Sequence, residues 1–169
     1  NKYFKINNGR KRFIMKEITL RAPATSANVG PGYDIFAMAL KEPYDEIKLT
    51  LNDTGKIDIK IIGDIQNIPV NVYDNTAGLA VLELLKRKKI NQGVDITIIK
   101  NMISGGGLGT TGASAAACIF GLNKLLDLDL PDNEMIDLAR MGEIASGGSP
   151  HADNVAAALL GGFVLIKSY

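Results

Sequence analysis

Cysteine, histidine and tryptophan are scarce in this sequence of 169 residues, which has one cysteine, one histidine and no tryptophan. A single cysteine, Cys118, excludes an internal disulfide framework and favours a reducing compartment such as the cytoplasm. No stretch approaches the roughly 18 to 20 apolar residues of a membrane span, and residues 1–14 lack the apolar centre of a secretion signal. We therefore expect a cytoplasmic protein without a transmembrane helix, and we interpret residues 1–14 as an upstream or appended extension.

A strong charge of either sign is also lacking, because 19 Lys and Arg nearly balance 18 Asp and Glu, for a net charge of +1. Neither a basic stripe nor a row of stacking aromatic residues is present, so we do not expect nucleic acid as a partner. The basic run at residues 86–89 follows an apolar helical pattern and is typical of a solvated helix C-terminus. The composition, 46% hydrophobic and 22% charged, indicates an ordinary globular chain of one domain.

Apolar periodicity predicts an α+β domain at residues 15–169. Strands are predicted at residues 17–22, 35–40, 46–51, 56–62, 94–99 and 162–166, and Pro23 is expected to end the first of them. Helices are predicted at residues 76–89, 111–126, 132–144 and 155–160. Asn75 is expected to cap the first helix, and its buried stripe is expected to comprise Leu79, Leu82 and Leu85. This order indicates helices covering one side of a mostly antiparallel sheet.

A glycine-rich segment, SGGGLGTTGASA at residues 104–115, lies between a predicted strand and an alanine-rich helix. Glycine lets the backbone approach a polyphosphate closely, and the start of the helix offers free N–H groups and the positive end of its dipole. Thr110 and Thr111 fall in the first helical turn, where a hydroxyl can reach a phosphate oxygen or magnesium. The segment carries neither a Walker A ending nor a dinucleotide fingerprint. It predicts a phosphate-binding loop, the alternative being a flexible turn before a helix.

A second polar segment, GEIASGGSPHADNV at residues 142–155, contains the single histidine, an acid and another glycine turn. Glu143 could supply the one carboxylate that Mg²⁺ needs beside substrate phosphates. Asp153 and Asn154 are also good N-cap residues for the predicted helix at 155–160, and His151 could be a loop residue bonded to a carbonyl. The density of polar groups in an otherwise apolar stretch favours a binding site.

A third segment, APATSANVGPGYD at residues 22–34, is rich in small residues that suit a loop packed against a ligand or backbone. Asn28 and Asp34 present hydrogen-bonding groups that could hold an ammonium or a hydroxyl. Asn and Asp residues also occur in ordinary turns, so this segment by itself does not distinguish a ligand-binding loop from an ordinary turn.

In this order the three segments resemble those of the GHMP kinase superfamily, and HADNVA with the following LLGGF resembles the archaeal homoserine kinase branch. The resemblance runs from about Met15 to Tyr169. It implies an N-terminal domain like ribosomal protein S5 domain 2, with a left-handed β-α-β crossover. It also implies an ATP-dependent phosphotransferase that acts on an alcohol, here L-homoserine in threonine biosynthesis.

The resemblance further implies a role for each matching residue. A loop around the triphosphate would comprise Gly105, Gly106, Gly107, Leu108, Gly109 and Thr110. Thr111 and Glu143 would hold Mg²⁺, while Asn75 and Lys100 would contact the nucleoside. The acceptor amino acid would be held by Asn28, Asp34, His151 and Asp153. Asn154 stands where mevalonate kinases carry a catalytic aspartate, which implies transfer without a dedicated protein base.

The sequence departs from the family pattern in two ways. Thr110 and Thr111 replace the Ser-Ser pair of most relatives, which keeps both hydroxyls. Family members run to about twice a typical single-domain length, so we interpret the chain as lacking the C-terminal domain and expect it to turn over homoserine slowly or not at all. The alternatives are another GHMP kinase of shikimate or mevalonate type, a non-catalytic ATP-binding fragment, and an RNA-binding module of the same fold. The sequence leaves open whether the chain forms a homodimer.

Overall fold

The computed structural model describes residues 16–63, 67–103 and 105–167, which form five strands and five α-helices. The proposed extension at 1–14 and Ser104 of the glycine segment lie outside these ranges. The strands are β1 (Glu17–Ala27), β2 (Phe36–Asn52), β3 (Ile57–Ile62), β4 (Gly93–Ile99) and β5 (Phe163–Leu165). The helices are α1 (Thr76–Lys88), α2 (Thr110–Leu125), α3 (Asp132–Arg140), α4 (Ile144–Gly147) and α5 (Asp153–Leu160), with a 3-10 turn at Met141–Glu143 between α3 and α4.

The five strands form one mixed sheet in the order β1-β2-β4-β3, and β5 pairs with the first residues of β2. Every pairing is antiparallel except that of β3 with β4, which α1 connects. A helix between the two strands returns the chain to the same edge, so the strands run in the same direction. The predicted α+β class with a mostly antiparallel sheet is confirmed.

The first two strands are longer than the sequence pattern predicted. β1 continues through Pro23 to Ala27, with a register shift between Pro23 and Thr25. Because β1 lies at the edge of the sheet, a proline without an N–H is tolerated there. The strands predicted at 35–40 and 46–51 are a single strand of 17 residues, because β1 pairs with both parts while β5 and β4 pair with one part each.

Helix α1 is capped as predicted, but its buried side agrees with the predicted stripe only at Leu85. The Asn75 Oδ1 atom accepts hydrogen bonds from the backbone N–H groups of Ala77 at 3.0 Å and Gly78 at 3.2 Å. Leu79 and Leu82 are only half-buried, whereas the fully buried side chains are Ala77, Ala80, Val81 and Leu84. Helix α1 packs against α2 and against the turn at 141–143, and this packing decided which side is buried.

The helix predicted at 132–144 ends at Arg140, and the chain turns through residues 141–143 before α4. Gly142 lies at this turn, and a Cβ atom there would be 2.2 Å from the carbonyl oxygen of Thr76. The turn therefore packs directly against the start of α1. This close approach carries Glu143 toward the first turn of α2.

One apolar core joins the sheet to the helices. Alternate residues of β1, β2 and β4 are buried in it, namely Ile18, Leu20, Ala22, Ile47, Leu49, Val94, Ile96 and Ile98. Cys118 of α2 is fully buried among them, and burial raises the pKa of its thiol far above the ordinary value. The predicted core role of this cysteine is confirmed. In the described ranges no helix combines the length and apolarity needed to cross a membrane.

Candidate functional site

The glycine segment connects β4 to α2, as predicted. Three of its residues have a left-handed backbone, with φ of 76° at Gly105, 72° at Gly107 and 58° at Gly109. Gly109 is the N-cap of α2, and no side chain caps this helix end. The first N–H groups of a helix lack intrahelical partners, so the start of α2 has donors available for an anion.

The three polar segments meet at Gly109. Thr25 of the first segment donates its hydroxyl to Oδ1 of Asn154 at 2.7 Å, and its backbone N–H donates to the carbonyl of Leu108 at 2.9 Å. A Cβ atom at position 109 would lie 1.8 Å from Thr25 Oγ1 and 2.4 Å from Asn154 Oδ1. Only glycine fits at this junction, and the segments that the sequence separates by more than a hundred residues are in direct contact.

Glu143 faces Thr111 at the start of α2. The Thr111 side chain lies beside the Glu143 carboxylate and lowers its pKa, and one carboxylate oxygen, Oε1, is buried without a hydrogen-bond partner among the described residues. Burial raises the pKa of Glu143, and the nearby Asp153 carboxylate also raises it, while the Thr111 hydrogen bond and His151 oppose the shift.

This pair fits a divalent cation. Mg²⁺ prefers oxygen ligands and is commonly held by one or two carboxylates together with substrate phosphates and water. A buried carboxylate oxygen without a donor is a ready ligand, and the threonine hydroxyl beside it supplies a second oxygen. No group of three or more His, Cys, Asp and Glu residues suited to a metal occurs in the described ranges, so the remaining ligands would come from phosphates and water.

The residues predicted to hold the acceptor fall into two groups with different contacts. In the first, Asn28 Oδ1 accepts from the backbone N–H of Asp34 at 2.8 Å, and the Asp34 carboxylate lies 3.8 Å from Nδ1 of His151. In the second, the buried Asp153 accepts from the backbone N–H of Asn154 at 2.7 Å. Asp153 is the first residue of α5 rather than its N-cap, which is Ala152. The capping interpretation of Asp153 and Asn154 is therefore wrong.

The two residues predicted to contact the nucleoside line one cavity of about 280 Å³ beside the start of α2. Asn75 is held there by its N-cap hydrogen bonds and by donation from its Nδ2 to the carbonyl of Pro69 at 2.7 Å. Lys100 is buried, and its ammonium donates to Asp45 and to the Thr110 hydroxyl. Thr110 and Thr111 therefore face different partners, and the Thr110 hydroxyl bonds to a buried ion pair.

Two residues at this site had no predicted role. Thr25 lay within the first segment, but its contact with Asn154 is visible only in three dimensions. Asp45 could have been found from the sequence, because it occupies the same alternating face of β2 as the core residues Ile47 and Leu49. A carboxylate at a core position of a strand indicates a buried partner.

Comparison with known proteins gives a consistent result. Residues 72–162 match the family model described as the GHMP kinases N terminal domain. The chain is 44% identical over 156 residues to a homoserine kinase from Methanococcus vannielii, a match that covers 92% of this chain and 52% of the relative. It is 42% identical over 151 residues to a homoserine kinase from Thermoplasma volcanium, covering 89% and 47%.

The fold is also similar to that of a solved structure, a homoserine kinase from Cytophaga hutchinsonii. The TM-score is 0.87 at 38% identity, and the match covers 96% of this chain and 52% of that protein. The chain thus spans about half the length of the relatives that it matches.

Proposed function

This chain belongs to the GHMP kinases, and from that premise we propose that residues 15–169 form the ATP-binding domain of a homoserine kinase. The reaction is transfer of the γ-phosphoryl group of ATP to the hydroxyl of L-homoserine, giving O-phospho-L-homoserine for threonine biosynthesis. The observation that carries the proposal is the junction at Gly109, where a phosphate-loop glycine lies against the Thr25–Asn154 pair. It brings the glycine segment and the proposed acceptor segments to one place. The 42–44% identity to proteins named homoserine kinase supports this acceptor over mevalonate or shikimate.

The glycine segment and the start of α2 would bind the triphosphate. Backbone N–H groups from residues 105–109 and the first turn of α2 supply neutral donors, and the helix dipole favours the negative charge. The cavity lined by Asn75 and Lys100 adjoins this helix start and would take the nucleoside. Triphosphate and nucleoside would therefore lie on either side of Thr110 and Thr111.

Thr111 and Glu143 would hold Mg²⁺ through their side-chain oxygens. When bound, the ion supplies charge neutralisation for the phosphate oxygens during transfer. Glu143 has to be ionised to serve as a ligand, and its raised pKa makes that ionisation sensitive to pH. The Thr111 hydroxyl, which lies beside this carboxylate, would help to orient it.

Asn154 would position the acceptor without acting as a base. Its amide cannot take up a proton near neutral pH, and its Oδ1 atom already accepts the Thr25 hydroxyl. Phosphoryl transfer proceeds through a loose transition state, so alignment of the acceptor oxygen with the γ-phosphorus contributes much of the rate. The new oxygen–phosphorus bond forms as the bond to the β-phosphate oxygen breaks, and the hydroxyl proton passes late to the transferred phosphate.

The proposed acceptor site contains two carboxylates, from Asp34 and Asp153, and a hydrogen-bond donor from His151. An amino-acid substrate carries an ammonium group, which the half-exposed Asp34 carboxylate can bind directly. The buried Asp153 is held by the Asn154 backbone and adds negative charge beside Glu143. A cytoplasmic location is part of the proposal, since amino-acid phosphorylation uses ATP and the single thiol is buried and reduced.

Substitution of Glu143 tests the ATP and metal part of the proposal. Mg-ATP binding by the chain is measured by titration calorimetry with and without Mg²⁺, for the wild type and for Glu143→Gln. The variant is expected to lose the metal-dependent part of the affinity, about tenfold, because a charged ligand is lost. Glu134→Gln is the matched control, since Glu134 pairs with Lys88 on the surface at 2.5 Å. Metal-dependent binding that survives in Glu143→Gln would contradict the assignment.

A panel of alcohols tests the acceptor. ADP release from Mg-ATP is followed in the presence of homoserine, mevalonate or shikimate. Homoserine is expected to give the largest acceptor-dependent rate, however slow the rate is in this chain. An equal or larger rate with mevalonate or shikimate would exclude homoserine as the substrate while leaving the kinase assignment intact.

A further inference from the structure

Asp45 is a buried carboxylate with no assigned role. It lies in β2 on the face that packs against the helices, and its side chain is fully buried. A buried charge is strongly unfavourable unless it is paired and hydrogen-bonded. Asp45 satisfies this condition completely, with donors on both of its oxygens.

The donors come from the chain on both sides of Gly105–Gly109. Oδ1 of Asp45 accepts from the backbone N–H groups of Asn101 at 2.7 Å and Met102 at 2.9 Å. Oδ2 accepts from the Thr110 hydroxyl at 3.2 Å and from the Lys100 ammonium. Residues 100–102 directly follow β4, and Thr110 is the first residue of α2. One carboxylate therefore bonds to the chain before and after Gly105–Gly109.

We propose that Asp45 is a positioning residue, which holds the glycine segment in the form that binds a nucleoside triphosphate without touching the ligand itself. This inference rests on the proposed function of the site. Glycine loses more conformational freedom on ordering than any other residue, so a glycine segment with free ends would be costly to order around phosphate. Fixing both ends at one rigid strand position removes much of that cost before the ligand binds.

Asparagine cannot replace this carboxylate. An amide of the same shape has one accepting oxygen, and its NH₂ group would face either the two backbone N–H groups or the Lys100 ammonium and Thr110 hydroxyl. In the first orientation the backbone N–H groups of Asn101 and Met102 lose their acceptor, and in the second the Lys100 ammonium loses its carboxylate partner. The Asp45→Asn variant therefore separates the positioning role from the size of the side chain.

The test compares Mg-ATP with adenosine as calorimetric probes of the wild-type chain, Asp45→Asn and Glu46→Gln. Adenosine has no phosphates, so its binding draws on the cavity lined by Asn75 and Lys100 and not on the phosphate contacts of Gly105–Gly109. Asp45→Asn is expected to lower Mg-ATP affinity by about tenfold or more and to lower adenosine affinity clearly less. Glu46 follows Asp45 on the opposite face of β2, and Glu46→Gln is expected to bind both probes as the wild type does. An equal loss of affinity for the two probes, or an unchanged affinity for Mg-ATP, would overturn the proposal.

Amide hydrogen exchange without nucleotide gives a second readout. Asp45→Asn is expected to exchange faster at residues 101–103 and 105–110 and at the wild-type rate in α3 and α5; unchanged exchange in the glycine segment overturns the proposal. This comparison remains decisive if the wild-type chain binds no Mg-ATP, a result that would remove only the proposed function.

If Asp45→Asn does not fold, Thr110→Val decides, because it keeps the buried ion pair and releases only the helix end of the segment. Without nucleotide, Thr110→Val is expected to exchange its amide hydrogens faster at residues 105–110 and at the wild-type rate in α3 and α5. Wild-type exchange at residues 105–110 in that variant would count against the role of Asp45.

Discussion

Glu143 is a proposed binding residue whose ionised side chain is poorly stabilised by its surroundings. Its carboxylate is largely withdrawn from water, one oxygen has no donor among the described residues, and Asp153 adds like charge nearby. These features raise its pKa and make its ionised form costly in the folded chain. A metal ligand needs the ionised form, so the fold keeps an unfavourable charge where the proposed function requires it.

This cost predicts a pH-dependent stability difference between the wild type and Glu143→Gln. Because the folded-state pKa of Glu143 is raised, the folded chain binds more protons than the unfolded chain between the ordinary glutamate pKa of about 4.3 and the raised value. Wild-type stability therefore falls as pH rises through that window, whereas the neutral glutamine is insensitive to pH. The free energy of unfolding of Glu143→Gln, relative to wild type, is expected to increase from about pH 4 to neutral pH.

Urea unfolding at a series of pH values without nucleotide or metal measures this difference. Glu134→Gln serves again as the control, because Glu134 lies on the surface beside Lys88. A Glu143→Gln difference that stays constant across the series would show that the carboxylate is not destabilising.

Thr110 and Thr111 are adjacent residues of the same type, yet local geometry gives their hydroxyls different partners. Successive residues of a helix point about 100° apart, so the first hydroxyl meets Asp45 and Lys100 and the second meets Glu143. The sequence offered both as phosphate or metal ligands. The direction of each hydroxyl depends on where α2 begins relative to β2 and to the turn at 141–143, which residue types do not specify.

At the scale of the element, α1 shows what periodicity predicts and what it leaves undecided. Its start, its Asn75 cap and its basic last turn were all predicted. Its buried side was predicted only in part, because alanines and leucines alternate around the helix and several stripes of similar hydrophobicity exist. Contact with α2 and with the turn at Gly142 selected the face carrying Ala77, Ala80 and Leu84.

The buried stripe of α1 predicts unequal effects of two leucine truncations. Leu84 is fully buried, so Leu84→Ala is expected to lower the free energy of unfolding by about 2–5 kcal/mol. Leu79 is half-buried, so Leu79→Ala is expected to cost about 1 kcal/mol. Denaturant unfolding of both variants measures the difference. Equal losses would support the leucine stripe that periodicity indicated.

At the scale of the whole molecule, the site exists because β1, the glycine segment and α5 converge. Thr25 and Asn154 are 129 positions apart and share a hydrogen bond, and Gly109 fits between them. Family membership explains why such segments occur in one chain, and the packing of α2 against β1 and α5 explains why they touch. The order of the segments along the sequence does not say how far apart they lie in the folded chain.

Convergence at Gly109 predicts that an added methyl group there is destabilising beyond its effect on the backbone. Gly109→Ala would place Cβ against Thr25 and Asn154, and overpacking of this kind costs about 1–3 kcal/mol in addition to the left-handed backbone. Gly105→Ala is the matched control, since Gly105 also has a positive φ but has nothing within 4 Å of the added Cβ.

Thermal and urea unfolding of the two variants give the comparison. Gly109→Ala is expected to be clearly less stable than Gly105→Ala. Similar losses in the two variants would mean that backbone strain alone restricts position 109 and that the three segments do not press together there.

The sequence by itself determined the fold class, most element positions and the chemical types at the site. Alternation fixes which side chains of a strand share a face, cap residues fix helix starts, and a glycine segment before a helix marks an anion site, because each of these properties is local. The strand lengths were underestimated, since pairing with distant strands continues β1 through Pro23 and joins the two parts of β2.

Only the tertiary structure decided which polar groups meet. It brought Asp45 into contact with the chain on both sides of Gly105–Gly109 and divided the two threonines between separate partners. It also left one oxygen of Glu143 without a donor in the part of the chain that the structure describes. These outcomes depend on how far apart packed elements lie and in which direction their side chains point. Such distances are set by the whole core, so no short segment of sequence contains them.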